Sequence, residues 1–229
     1  MNATASPRVK ICCISSIAEA WLAIERGASA LGLVSEMPSG PGVISEEMIA
    51  EIARVLPPAI GSFLLTSKLD AMEIIDQQRR LRVNTIQICD RLSPGAHLKL
   101  RRDLPGVSLV QVVHVTGEGS VTEAAAVAPY VDAILLDSGN QSSAIKELGG
   151  TGRVHNWILS TRIRKAVNVP VFLAGGLNAG NLAEAIKQVG PFGIDVCSGV
   201  RTNGMLDKDK LMSFIEVARE SLSPSRSQV

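Results

Sequence analysis

Two side chains in this 229-residue sequence stand where acid–base chemistry can be done. Cys12 lies in the short apolar run Val9 to Ile14, and Asp137 directly follows the apolar residues Ala133 to Leu136. A thiol becomes a base or a nucleophile when its surroundings lower its pKa, although buried cysteine is also a common small apolar filler. A carboxylate at the end of an apolar run is costly to bury without a partner; it suits a general acid or base as well as a loop cap. Three glycine-rich segments supply a different chemistry. Val169 to Leu173 runs into Ala174-Gly175-Gly176-Leu177-Asn178, and Phe192 to Cys197, which contains Asp195, runs into Ser198-Gly199-Val200. A strand that passes through glycines into a helix lets an anion approach backbone N–H groups. Asn178 is expected to open such a helix, with Leu182, Ala185, Ile186 and Val189 on its buried stripe. Two such loops side by side make a phosphate cup. Gly149-Gly150-Thr151-Gly152-Arg153 is the third segment, with a hydroxyl and a cation able to close over a phosphate or its sugar.

The elements that must position these groups recur with even spacing. Strands are expected at Val9 to Ile14, Ala30 to Val34, Ala59 to Leu64, Asn84 to Ile88, Val107 to Val113, Val131 to Leu136, Val169 to Ala174 and Phe192 to Cys197. Helices fall between them: a stripe of Ile17, Ala20, Trp21 and Ile24 closed by Gly27, a segment capped by Ser45, then Leu69 to Leu81, Pro94 to Arg102, Ser120 to Val127, Asn156 to Val167 and a last helix from Lys208 to Ser221. Eight strand–helix units in one continuous chain imply parallel strands with right-handed crossovers and match a (β/α)₈ barrel over residues 1–229. Residues 1–8 and 222–229 read as loose termini. A doubly wound open sheet is the alternative, but it does not explain the regular count. In a barrel, active-site residues come from the C-terminal ends of the strands. Strand alternation at that end turns one of Cys12 and Cys13 inward and the other toward the first helix. His114, ending the fifth strand, can titrate near neutral pH but suits a structural role.

Composition excludes several classes. Aromatics are only 3% of a chain that is 46% hydrophobic, so the core is aliphatic, as in a parallel sheet covered on both faces. A net charge of +1 without a basic block gives no reason to expect nucleic acid. No apolar run reaches the roughly 18–20 residues of a membrane span, and the first residues lack a signal-peptide pattern. Four cysteines in a chain of this length do not make a disulfide framework, so they are read as reduced and the protein as cytoplasmic. Cys12, Cys13, Cys89, Cys197 and His114 lack the paired spacing of a metal site, and none is expected.

The ordered set Lys10-Ile11-Cys12, Asp137, Gly149-Gly150-Thr151-Gly152, His155-Asn156-Trp157, Ala174-Gly175-Gly176-Leu177-Asn178 and Asp195-Val196-Cys197-Ser198-Gly199-Val200 resembles the phosphoribosylanthranilate isomerase family of tryptophan biosynthesis. The resemblance spans nearly the whole chain. It implies a (β/α)₈ barrel and an intramolecular oxidoreductase (aldose–ketose isomerase) that needs no cofactor. It also implies an Amadori rearrangement of an N-linked phosphoribosyl amine to a 1-amino-1-deoxyribulose phosphate. By resemblance, Cys12 takes the base position and Asp137 the acid position. Gly149, Gly150, Thr151, Gly152, Gly175, Gly176, Leu177, Asp195, Ser198 and Gly199 take the substrate and phosphate positions. The partner implied is a phosphorylated sugar, and the assembly a monomer or homodimer.

The sequence departs from that family at four places. Cys13 replaces a glycine. Met37-Pro38-Ser39-Gly40-Pro41-Gly42 replaces a Ser-Pro-Arg loop whose arginine meets the anthranilate carboxylate. Gln87-Ile88-Cys89-Asp90 stands for Gln-Leu-His-Gly, and Arg201 follows Ser198-Gly199-Val200 in place of a glutamate. Arg201, Arg153 and His114 are the residues to ask about a replacement cation. Two other functions share the phosphate cup: another reaction on a phosphosugar, such as an epimerase, aldolase or synthase, and a non-catalytic phosphometabolite binder. An aldolase would require a Schiff-base lysine, and only Lys10 lies near a strand end.

Overall fold

A computed structural model describes residues 6–139, 146–150 and 152–221. Eight parallel strands close into a barrel in sequence order: β1 (Arg8–Ile11), β2 (Ala30–Val34), β3 (Gly61–Thr66), β4 (Thr85–Ile88), β5 (Ser108–His114), β6 (Ala133–Asp137), β7 (Val171–Leu173) and β8 (Gly193–Val196), with β8 pairing back onto β1. Helices α1 (Ile17–Arg26), α2 (Glu46–Val55), α3 (Ala71–Leu81), α4 (Ala96–Asp103), α5 (Gly119–Val127), α6 (Trp157–Ala166) and α7 (Leu182–Val189) follow the first seven strands. A two-stranded hairpin, β9 (Arg201–Thr202) and β10 (Met205–Leu206), precedes α8 (Lys208–Glu220). The expected architecture is the observed one.

The bounds moved where local chemistry outweighed the apolar pattern. Arg8, expected in a loose lead-in, is the first residue of β1, because its amide donates to the Phe192 carbonyl. The third strand begins at Gly61 because Pro57 to Ile60 form a turn, with the Ile60 amide on the Pro57 carbonyl. The seventh helix begins at Leu182, four residues after Asn178, which was expected to open it. Asn178 lies in the turn before it, with its carbonyl accepting from the amides of Asn181 and Leu182. Several helix starts are fixed by side-chain caps: Ser16, Ser45, Asp70, Asn156 and Asp207 each accept from amides in the first turn.

Alternation along the strands divides the core in two. Odd residues of β1 and β7 and even residues of β6, such as Ile11, Ile134 and Leu173, pack outward against the helices. Cys12, Ala30, Val34, Phe63, Leu65, Val110, Val112, Ala133, Leu135, Phe172 and Ala174 fill the barrel interior. The lower interior is closed by the edge-to-face pair Phe63–Phe172, with ring centroids 5.9 Å apart. Inward positions further up are polar: Lys10, Gln87, Asp137 and Asp195. The barrel is therefore plugged at one end and chemically active toward the C-terminal ends of its strands.

Candidate active site

The lowest layer of the site is an ion pair set by register. Lys10 of β1 lies opposite Asp195 of β8, and its Nζ donates to Asp195 Oδ1 at 2.9 Å, with the lysine wholly buried. Burial pulls the ammonium's pKa down. The negative charge of Asp195, aided by Cys12, outweighs that and raises it. Burial pushes the Asp195 carboxyl up, against the pull of Lys10. The two directions conflict, since a raised lysine favours the charged pair and a raised aspartate the neutral one. The charged pair is the state we adopt, because a single short contact satisfies the lysine and losing it would leave an ammonium in the barrel interior. Asp195, expected among the substrate and phosphate positions, also lines the cavity. It lies within a strand, it is an anion, and its nearer oxygen is engaged by Lys10.

Above this pair, Cys12 projects inward as the continued alternation of β1 requires. Cys13 does not point to α1 as expected. Its φ of 62° turns the backbone out of the strand, so both thiols line the same cavity. This left-handed conformation is one that few non-glycine residues adopt, and it is held from below. Arg201 donates to the carbonyls of Cys12 at 3.3 Å and Cys13 at 2.5 Å, and forms a two-pronged pair with Glu19 at 3.0 and 3.1 Å. Glu19 also accepts from the amides of Ser15 and Leu206. Burial works to raise the Glu19 carboxyl, but Arg201 and these two amides hold it below its ordinary value. Arg201 is therefore a buried support for the two cysteines, occupied beneath the site rather than presented to a ligand.

Asp137 ends β6, pairs in register with His114, and is 8% exposed. Its Oδ1 accepts from the Ser138 amide at 2.7 Å. Gly149, in the glycine-rich segment after β6, passes close to it. A Cβ at Gly149 would come 2.7 Å from Asp137 Oδ2, so only glycine lets the backbone pass so close to the acid. His155 lies on the same side, with Nε2 2.8 Å from Ser160 Oγ. Burial lowers its pKa to about 4, although the charge of Asp137 works the other way. His114 is structural: its Nε2 donates to the Cys89 carbonyl at 3.2 Å. Burial pushes the Cys89 thiol far above its usual range, so it packs as a protonated filler.

The glycine loops form the rim. Gly175 and Gly176 both have positive φ, and the turn they make carries Leu177 against Ser198–Val200. The approach is close enough that a Cβ on Gly199 would sit 2.0 Å from the Leu177 carbonyl oxygen. Among the described residues, the amides of Gly176, Leu177, Ser198 and Gly199 donate to no protein acceptor. The first amide of α7, that of Leu182, is already bonded to the Asn178 carbonyl. The turn itself presents the free N–H groups.

These groups meet in one solvent-open cavity. Cys12, Asp137, Gly149, Gly150, Gly152, Gly175, Gly176, Leu177, Asp195 and Ser198 all line it. Gly199 stands directly behind Leu177, and Thr151 lies outside the described residues. Gln87, 3% exposed, lines the floor with its Oε1 unpaired. Gln87 and Cys13 join the site without having been singled out for it. The inward parity of β4 was the available signal for Gln87; nothing in the sequence signals the positive φ of Cys13. Arg153, considered as a replacement cation, pairs with Glu147.

The family model for N-(5'-phosphoribosyl)anthranilate (PRA) isomerase matches residues 9–217. An N-(5'-phosphoribosyl)anthranilate isomerase 2 of Methanosarcina mazei is 33% identical over 222 residues, covering 96% of this chain and 97% of its own. The isomerase of Methanocella arvoryzae is 33% identical, with coverage of 93% and 98%. Among solved structures, phosphoribosyl anthranilate isomerase from Thermotoga maritima superposes with a TM-score of 0.79 at 29% identity, covering 93% of this chain and 98% of its own. A phosphoribosyl anthranilate isomerase in complex with reduced 1-(o-carboxyphenylamino)-1-deoxyribulose 5-phosphate gives 0.77 at 28%, with the same coverage. With fold and sequence in agreement over almost its whole length, the chain belongs to the N-(5'-phosphoribosyl)anthranilate isomerase family.

Proposed function

We propose that this protein isomerises phosphoribosylanthranilate, an N-linked phosphoribosyl amine, to the open-chain 1-amino-1-deoxyribulose phosphate, with Asp137 as general acid and Cys12 as general base. The observation that carries the reading is the convergence of a thiol and a carboxyl on one cavity whose rim offers four backbone amides with no acceptor among the described residues. The amides of Gly176, Leu177, Ser198 and Gly199 hold the phosphate, which fixes the ribose over the floor. Asp137 gives a proton to the ring oxygen, the C1–O bond breaks and the amine nitrogen forms a Schiff base. The Cys12 thiolate then removes the C2 proton, and the resulting enol tautomerises to the ketone. Each transfer is worth roughly 10²–10⁴-fold when the group is correctly placed. Loss of phosphoribosylanthranilate fluorescence on mixing with the protein tests the assignment; binding of inorganic phosphate without turnover would leave only a phosphometabolite binder.

One observation favours a neighbouring substrate. The wall facing away from the rim is built from Val34, Met37, Pro41, Leu65 and Leu148, and no Lys, Arg or His is among the described residues lining the cavity. A ligand carboxylate there lacks a charged hydrogen bond worth about 1.5–3 kcal/mol. The second reading is the same rearrangement on an aryl amine without the ortho carboxylate. Comparing kcat/KM for phosphoribosylanthranilate and phosphoribosylaniline decides between the two: preference for the aniline supports the second reading, preference for the anthranilate refutes it.

No helix among the described residues is long and apolar enough to cross a membrane, in keeping with our reading of a cytoplasmic biosynthetic enzyme. The reading extends to a monomer or homodimer, a relative from Thermotoga maritima being described as dimeric.

A further inference from the structure

Three of the four cysteines crowd the same rim, and two of them are closer than the reaction requires. Cys13 Sγ and Cys197 Sγ are in direct contact, and both are free thiols. They come from opposite ends of the chain. Cys13 follows β1, turned toward the cavity by its positive φ, and Cys197 follows β8, just before the phosphate-rim residues Ser198 and Gly199. Arg201 ties down the Cys13 carbonyl, and the Cys13 thiol also reaches the Pro41 carbonyl at 3.6 Å, so the pair is held rather than meeting by chance. Both sulfurs line the open cavity, and Cys197 is the more exposed.

The two thiols are also unlike each other. Hydrogen bonding to Cys12 and Cys197, followed by burial, holds the Cys13 proton on. Hydrogen bonding with Cys13, with help from the positive charge of Arg201 and against burial, lowers the Cys197 pKa. This is the arrangement of an attacking thiolate beside a resolving thiol.

We propose that Cys13 and Cys197 form a peroxide-reactive dithiol site whose oxidation to a disulfide reversibly lowers turnover. The Cys197 thiolate attacks the outer oxygen of a hydroperoxide, giving a sulfenic acid and releasing alkoxide, which takes a proton from water. The Cys13 sulfur then attacks the sulfenic sulfur. The S–S bond forms, the S–O bond breaks, and the hydroxide leaves with the Cys13 proton as water. The two thiols lose two electrons, and the hydroperoxide gains them. The new bond fixes the β1 turn to the start of the phosphate rim and removes the thiol hydrogen that Cys13 holds next to Cys12.

The test uses the full chain, reduced and then exposed to hydrogen peroxide. Remaining thiols are blocked with N-ethylmaleimide before digestion and mass spectrometry. The proposal expects a cross-linked peptide pair containing Cys13 and Cys197, with Cys12 and Cys89 recovered as maleimide adducts. Turnover should fall in step with the cross-linked fraction and return with a dithiol reductant. In C13S, dimedone should label Cys197, whereas in C197S it should leave residue 13 unlabelled. A cross-link through Cys12, oxidation without a cross-link, or a Cys13–Cys197 cross-link that leaves turnover unchanged would each overturn it. The mapped cross-link does not depend on which substrate the enzyme takes.

Discussion

The buried pair Lys10–Asp195 offers the sharpest quantitative prediction. At 2.9 Å and an effective dielectric constant near 20, the gross attraction is about 6 kcal/mol. Most of this offsets the cost of taking both charges out of water, so the intact pair contributes little net stability. Removing one partner is different, because the other charge stays in the barrel interior. K10M strands a carboxylate and D195L strands an ammonium that is wholly buried. Each should cost about 3–5 kcal/mol. For 229 residues the unfolding entropy is about 0.48 kcal/mol/K, so each variant should melt roughly 6–10 °C lower. The double variant K10M/D195L removes both charges and should recover most of the loss, with a coupling energy above about 2 kcal/mol. Urea unfolding of the four proteins supplies the cycle. Single variants that lose less than about 1 kcal/mol, or a double variant no more stable than the worse single, would refute the description of this pair as charged and mutually dependent.

Two further predictions concern the rim and His155. G199A places a Cβ where the Leu177 carbonyl stands, so the two loops must separate; losing one charged hydrogen bond to the phosphate, about 1.5–3 kcal/mol, should raise KM roughly 10–150-fold, and an unchanged KM in steady-state assays would mean that these loops do not bind the phosphate. His155 has a folded pKa of about 4, below the unfolded value of roughly 6.5. The folded state therefore binds fewer protons, and the stability contributed by the neutral ring is complete above about pH 6.5 and is lost as the pH falls through about 4. In H155Q this loss should be absent, so the stability gap between wild type and variant should narrow across that window in urea titrations. A gap independent of pH would show that the histidine is not held neutral.

Much of this site was legible from strand ends. Cys12, Asp137 and the loops at Gly175–Leu177 and Ser198–Gly199 follow from locating eight apolar runs and reading what comes after each, because a barrel exposes only those ends. Contacts between residues distant in sequence were not legible. Lys10 and Asp195 are separated by 185 positions and meet only through the β1–β8 closure. Arg201 and Glu19 are separated by 182, and their pairing converts a candidate ligand cation into a buried support. Cys13 misled strand alternation because its positive φ is imposed by the surrounding fold, not by its residue type. Asn178 suggested a helix start, as a capping residue often does, but it serves the turn before Asn181 and Leu182.

The most direct test of the account is a single-turnover experiment with phosphoribosylanthranilate on the wild type, C12S and D137N, following fluorescence loss and open-chain product separately. General acid and base roles predict that each substitution slows product formation by at least about 10²-fold. D137N should stall before ring opening, whereas C12S should open the ring and accumulate the Schiff base. Wild-type rates in either variant, or the same stalled species in both, would contradict the assignment of Asp137 as acid and Cys12 as base.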